Sequence, residues 1–241
     1  MRHYLLTRAA YSPEVPLEVN RRRLDLLRGI TARSLAAQTE RRVTWLVLID
    51  PGDPLLAERT AVLESAGYPL VLAPAPDLVR DHFFDRPQTP AWRRNIVWDG
   101  PTFTSRIDDD DALAPFALAD LYSRGEHMAA GRHSTMKRAF VLALGYRLSG
   151  GRFNLRDDPV SQFIGMYAPR GSKTCVMDIN HTSMRTLARV ELIRERPAWL
   201  WLRHDDARSA NSKASHYQEE KMEPITPALR SAFDVDWSLL T

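Results

Sequence analysis

A mostly parallel α/β sheet is the expectation from the way strand-like and helix-like segments alternate along this 241-residue chain. Apolar residues recur at helical spacing across residues 19–38, an unbroken apolar run fills residues 43–49, and a second helical stretch covers residues 55–66. Repeated β-α-β in that order gives right-handed crossovers and parallel strands.

Residues 3–7 read as the first strand. In the helix that follows, Leu24, Leu27 and Ile30 fall on one face and arginines elsewhere. Residues 43–49 are rich in β-formers and closed by Asp50-Pro51-Gly52-Asp53-Pro54, the pattern of a strand buried on both faces. The next helix stops at Gly67, and residues 68–72 read as a strand. Residues 74–101 are rich in proline and carry no clear element. Residues 103–107 form a short strand that runs into Asp108-Asp109-Asp110-Asp111, where Asp111 is placed to cap a helix over 112–122. The second half reads as more β-rich. A hairpin turns at Ser149-Gly150-Gly151, further strands are expected at 160–167 and 173–177, and a helix at 183–194. An aromatic strand over 198–202 ends at His204, a polar mobile loop covers 205–223, and a helix closes the chain at 226–240.

Composition is that of an ordinary globular chain, with 44% hydrophobic and 26% charged residues. One domain is expected, with residues 1–111 as a nucleotide-binding half and 112–241 as an acceptor-side half. No run approaches the roughly 18 apolar residues of a membrane span, and the first residues have too short an apolar stretch for a signal peptide. The single cysteine, Cys175, forms no internal disulfide and fits a reducing cytoplasm. The basic residues are scattered, which argues against nucleic acid as a partner. They leave room for a nucleotide diphosphate or a peripheral contact with an anionic membrane.

Four consecutive aspartates at a strand end repel one another, so burying them raises their pKa values or requires a cation. Oxygen-only ligands suit Mg²⁺ or Mn²⁺. With strand alternation, Asp108 and Asp110 would face one side and Asp109 and Asp111 the other. Ligands of open parallel sheets sit beyond the carboxyl ends of the strands, where this run lies. A solvated acidic turn is the plainer alternative.

Ser105-Arg106-Ile107-Asp108-Asp109-Asp110-Asp111-Ala112-Leu113 resembles the signature of the putative rhamnosyltransferase family, and more broadly the hydrophobic-Asp-x-Asp-Asp motif of GT-A transferases. Ser34-Leu35-Ala36-Ala37-Gln38-Thr39 is similar to that family's "SL-x-x-Q-T" stretch, and Trp199-Leu200-Trp201-Leu202-Arg203-His204 to one of its later blocks. The resemblance implies a GT-A-like fold with a small β-rich acceptor-side region. The implied activity is a metal-dependent, inverting transferase that moves a sugar, by family name rhamnose, from a nucleotide-diphosphate donor to a glycan. It implies Asp110 as metal ligand, with Asp108 on the ribose or on the metal, and His204 as a late metal ligand. Thr7, Arg8, Asp50, Arg106 and Asp109 would contact the donor nucleotide or hold the acids in place. Asp50 and His204 each have a plainer reading as strand-end residues.

The catalytic base has three candidates: Asp157 and Asp158, which also form an ordinary Asp-Asp-Pro turn, and His181, which also reads as a structural histidine. The family tends to carry an acid after the strand matched by residues 163–167, whereas this chain has Ala168-Pro169. That departure keeps open a non-catalytic sugar-binding protein on the same fold. Clustered aspartates on an α/β sheet also leave a metal-dependent phosphohydrolase or nucleotidyltransferase as an alternative.

Overall fold

Runs of branched and aromatic residues that alternate with amphipathic helices build one seven-stranded sheet and one five-stranded sheet. The structure, a computed structural model, describes residues 1–9, 15–75, 91–131, 134–178, 180–203 and 222–240. The main sheet contains β1 (Arg2–Ala9), β2 (Thr44–Ile49), β3 (Leu70–Pro74), β4 (Thr102–Arg106), β6 (Arg138–Leu142), β9 (Ile164–Ala168) and β10 (Arg189–Ile193). Its order is β10-β6-β9-β4-β1-β2-β3, and β9 runs antiparallel to both its neighbours while the other pairs are parallel. The second sheet contains β5 (Ala112–Leu113), β7 (Leu144–Ser149), β8 (Arg152–Asp157), β11 (Trp199–Arg203) and β12 (Glu223–Pro224), in the order β12-β8-β7-β11-β5.

The long first helix is α1 (Leu17–Leu26), a turn of π-helix (Leu27–Ala32) and α2 (Arg33–Ala36). The wider turn frees the Gly29 carbonyl, which accepts from the Asp236 amide at 2.7 Å. Helix α3 (Leu56–Ser65) stops where Gly67 takes φ 75°, and β3 is then laid beside β2. Helix α4 (Ala117–Ala130) packs against β4 and β9.

Four expectations are corrected. Residues 112–122 do not form one helix. Ala112 and Leu113 pair with Leu200 and Trp199 as a strand, and α4 begins only after Pro115, because a proline disfavours helix at the residue before it. Residues 173–177 are not a strand, since Val176 instead donates its amide to the Thr104 hydroxyl at 2.9 Å. Residues 183–194 divide into a 3-10 turn (His181–Thr186) and β10, because Arg189–Ile193 pair in parallel with β6 and the ladder outweighs local spacing. The closing helix is likewise broken, into α5 (Pro227–Ala232) and a 3-10 turn (Trp237–Leu240). The expected loop at 205–223 lies almost wholly outside the described residues.

The stretch expected as a single hairpin arm crosses between the sheets at Ala143: β6 belongs to the main sheet and β7 to the second. Gly150 and Gly151, at φ 53° and 69°, make the two-residue turn to β8. Trp199 locks the two sheets together. Its indole donates to the Leu142 carbonyl at 2.7 Å, and its ring stacks on Phe163 at 4.8 Å between centroids. Gly145 lies under that ring, where any Cβ would sit 2.1 Å from the indole. Cys175 is buried with its thiol against Asp178, and burial pushes its pKa up, so it behaves as a small core residue.

Candidate active site

The carboxyl end of β4 delivers the acid run beside β1, the strand from which the chain order departs in both directions along the sheet. Such a switch point leaves a crevice above the sheet. The ladder ends with the Ile107 amide donating to the Leu6 carbonyl at 3.1 Å, and residues 108–111 then turn, with the Asp111 amide 3.4 Å from the Asp108 carbonyl. Strand alternation therefore stops before the acids, and the expected pairing of Asp108 with Asp110 on one face is replaced by a different division.

Asp108 accepts from Arg106 at 3.1 Å and lies 3.5 Å from the Arg8 guanidinium. Burial alone would push its carboxyl up, but Arg106 and Arg8 outweigh it and hold Asp108 well below the usual carboxylate range. Arg106 thus serves Asp108. Asp109 and Asp110 share Arg23 of α1, whose guanidinium lies 2.9 Å from one and 3.0 Å from the other. Asp111 turns away from these three. It is fully buried, accepting from Gln162 at 2.6 Å and from the Leu202 amide at 3.0 Å. Burial first, and then the neighbouring Asp110 and Asp108 charges, raise its pKa well above the ordinary value. Its work is structural: instead of capping a helix it ties the acid run to β11.

A second set of hydrogen bonds fixes the backbone behind the acids. The Thr31 hydroxyl donates to the Asp111 carbonyl at 2.8 Å, and the Ser34 hydroxyl accepts from the Leu113 amide at 3.3 Å. Gln38 donates to the Ala114 carbonyl at 2.8 Å and accepts from the Leu118 amide at 3.0 Å. It thereby caps α4, whose own N-cap residue Phe116 supplies no side-chain bond. The Thr39 amide donates to the Pro115 carbonyl at 2.8 Å. Ser34, Gln38 and Thr39 are the polar positions of the S-L-x-x-Q-T stretch. The resemblance assigned that block no role, and in the structure its polar residues build this clamp. Arg23 and Gln162 carried no comparable signal.

The remaining sequence candidates divide. Arg8 and Arg106 are at the acids, as described. Thr7 is fully buried and accepts from the Trp45 indole at 2.9 Å, so its side chain faces the core and not the crevice. Asp50, at the end of β2, accepts from the Gly52 amide at 2.8 Å and shapes the turn there. Beside it, Asp53 and Arg59 form a wholly buried ion pair at 2.6 Å that secures the start of α3. Asp157 is exposed and pairs with Arg194 at 2.8 Å. Asp158 accepts from the Val160 amide at 3.0 Å, as a turn residue does, yet it also lies within electrostatic reach of His181. Burial, and then the Arg106 charge, lower the His181 pKa to about 4, while Asp108 and Asp158 pull the other way. The imidazole is therefore neutral at physiological pH. His204 lies outside the described residues.

The absence of an acid at residues 168–169 has a geometric answer. Strand β9 is antiparallel, so Ala168 pairs with Thr102 at the start of β4 while Gly165 pairs with Ser105 near its end. Ala168 therefore sits at the opposite end of the strands from the acid run, since the five residue steps from Thr102 to Ile107 already span about 17 Å at strand rise. An acid there would be remote from the crevice.

Among the described residues no three histidine, cysteine or acidic side chains gather as a ready cation cage. Asp108 and Asp110 nevertheless offer hard oxygen donors with part of each side chain exposed, 22% and 11%. That suits a cation of the Mg²⁺ type, which takes one or two carboxylates and completes its shell with water and substrate phosphate. A groove of about 700 Å³ opens nearby, between α1, the β7–β8 turn and the end of β11, and Arg21, Arg22, Ser149, Leu202 and Arg203 are among its lining residues.

A mostly parallel sheet with one antiparallel strand and an acid run at the switch point is the architecture of GT-A-type nucleotide-diphospho-sugar transferases. The chain belongs to the putative rhamnosyl transferase family, whose sequence profile matches residues 17–216. Among solved structures it is similar to S. aureus TarS, with 11% identity and a TM-score of 0.49 over 84% of this chain and 37% of that one. S. aureus TarS 1–349 in complex with UDP gives 11% identity and a TM-score of 0.48 over 84% and 61%. A putative nucleotide-diphospho-sugar transferase from Desulfovibrio desulfuricans G20 gives 12% identity and a TM-score of 0.40 over 85% and 83%. The chain spans less than two thirds of both TarS chains. No curated protein matches. No helix among the described residues is long and apolar enough to cross a membrane.

Proposed function

We propose that this protein transfers a sugar from a nucleotide-diphosphate donor to a hydroxyl of a glycan or polysaccharide, with inversion, and with a divalent cation held by Asp108 and Asp110. The observation that carries the reading is the acid run at the end of β4, faced by Arg8, Arg23 and Arg106. Acids and arginines interleaved in one crevice are what a cation–diphosphate pair needs for charge balance. Mg²⁺ or Mn²⁺ supplies Lewis-acid stabilisation of the departing diphosphate when bound. Arg8 and Arg106 donate to the phosphate oxygens and favour the charge that develops there. His181, neutral and near Asp158, takes the acceptor proton, with Asp158 steadying the imidazolium that results. Rhamnose as the donor sugar rests on the family description.

Incubation with Mn²⁺, a panel of uridine, guanosine and thymidine diphosphate sugars, and a glycan acceptor tests the reading by product analysis. Nucleoside diphosphate released together with a glycosylated acceptor is the expected result. Free inorganic phosphate without a sugar adduct would instead mark a phosphohydrolase.

A further inference from the structure

We propose that Arg23 is a tethered counter-cation that occupies the acid run in the nucleotide-free protein, so that divalent cation and diphosphate are taken up together. This rests on the metal reading above and adds an internal competitor to it. One guanidinium bridges Asp109 at 2.9 Å and Asp110 at 3.0 Å, and the three side chains are only 14%, 3% and 11% exposed. Asp108 is held separately by Arg106 and Arg8 at 3.1 and 3.5 Å. Adjacent carboxylates this poorly hydrated need positive charge to remain ionised. Arginine keeps its charge at any physiological pH, and its planar fork fits two oxygens at once.

A divalent ion approaching Asp110 therefore competes with a cation already in place. Its apparent association constant is the intrinsic one multiplied by the fraction of molecules in which Arg23 has let go. A nucleoside diphosphate changes the balance, because its phosphate oxygens offer the same fork an alternative bidentate partner. Arg23 moves from carboxylate to phosphate, Asp110 is released to the metal, and each ligand raises the affinity for the other by the same factor. The device keeps the acids charged and ordered without metal and makes the loaded site conditional on the donor.

Binding of Mn²⁺ alone, followed by loss of the free-ion electron paramagnetic resonance signal, tests this on the full chain with and without uridine or thymidine diphosphate. Wild-type protein should bind Mn²⁺ weakly alone. Arg23→Gln should bind it roughly 10-fold more tightly alone and show a smaller gain from nucleotide. Arg23→Lys, whose shorter side chain lacks the planar fork, should lie between and serves if the glutamine variant does not fold. Unchanged or weaker Mn²⁺ affinity in both variants, while Asp110→Asn still abolishes binding, overturns the proposal and leaves the metal reading standing. Absence of Asp110-dependent Mn²⁺ binding in every variant and condition removes both.

Discussion

Replacing Gln38 by leucine keeps the side-chain volume and deletes the amide that joins the first helix to the segment behind the acids. In the native chain that amide is 3% exposed. It donates to the carbonyls of Ala114 at 2.8 Å, Leu113 at 3.3 Å and Ser34 at 3.2 Å, and accepts from the Leu118 amide at 3.0 Å. The Ala114 carbonyl keeps the Ala117 amide as a second partner. The Leu118 amide and the Leu113 carbonyl lose their side-chain partner in a buried setting, at a cost of about 1–3 kcal/mol each. The variant should therefore be less stable by about 2–5 kcal/mol, which for a chain of this size lowers Tm by roughly 5–15 °C. Urea unfolding followed by circular dichroism at 25 °C measures the loss. Gln38→Glu separates chemistry from size: it keeps an acceptor for Leu118 but aims a carboxylate at carbonyl oxygens, so it should be at least as destabilised. A loss below about 0.5 kcal/mol for both variants, within what an ordinary surface change produces, would refute the clamp.

Burial depresses the His3 pKa to about 3, so the unfolded chain takes up the proton first, and stability is lost as pH falls through the unfolded value near 6.5. Between pH 7 and 5.5 wild type should lose about 1 kcal/mol more than His3→Gln by urea unfolding; parallel curves would contradict this. Gly145→Val would press on the Trp199 ring that bonds Leu142 and stacks on Phe163, and should cost about 3 kcal/mol by thermal unfolding. Asp157→Asn, removing an exposed ion pair, should change stability by less than about 1 kcal/mol and leave turnover alone. His181→Gln should lower kcat by about 10²-fold or more, and equal turnover in these two variants would exclude His181 as the base.

The parallel core was legible because residues 44–49 and 102–106 are short apolar or β-branched runs with turn residues after them, and their burial on both faces leaves few alternatives. Misreadings arose where pairing across the chain outweighed local pattern. Residues 189–193 suit a helix as well as a strand until β6 is beside them. Pro115 was a local signal against a helix over 112–122 that the acid cap obscured. Nothing local marks Ala143 as the point where the chain changes sheets, since residues 140–148 read as one hairpin arm. The acid run was legible as a charge problem, but its solution was not. Arg23 is 86 residues away from Asp109 in sequence, and α1 carries Arg21, Arg22 and Arg23 in a row, of which only the fold selects one. The antiparallel sense of β9, which moves Ala168 to the far end of the strands from the acid run, likewise exists only in three dimensions.

Thermal unfolding with Mn²⁺, a nucleoside diphosphate, or both is the most direct measurement on the acid run as a cation–diphosphate site, because a ligand that binds only the folded chain raises Tm by linkage. At least one of the uridine, guanosine and thymidine diphosphates should raise Tm together with Mn²⁺ by more than the two separate shifts combined, and Asp110→Asn should abolish that excess. No excess with any of them, or an equal excess in Asp110→Asn, would contradict the assignment.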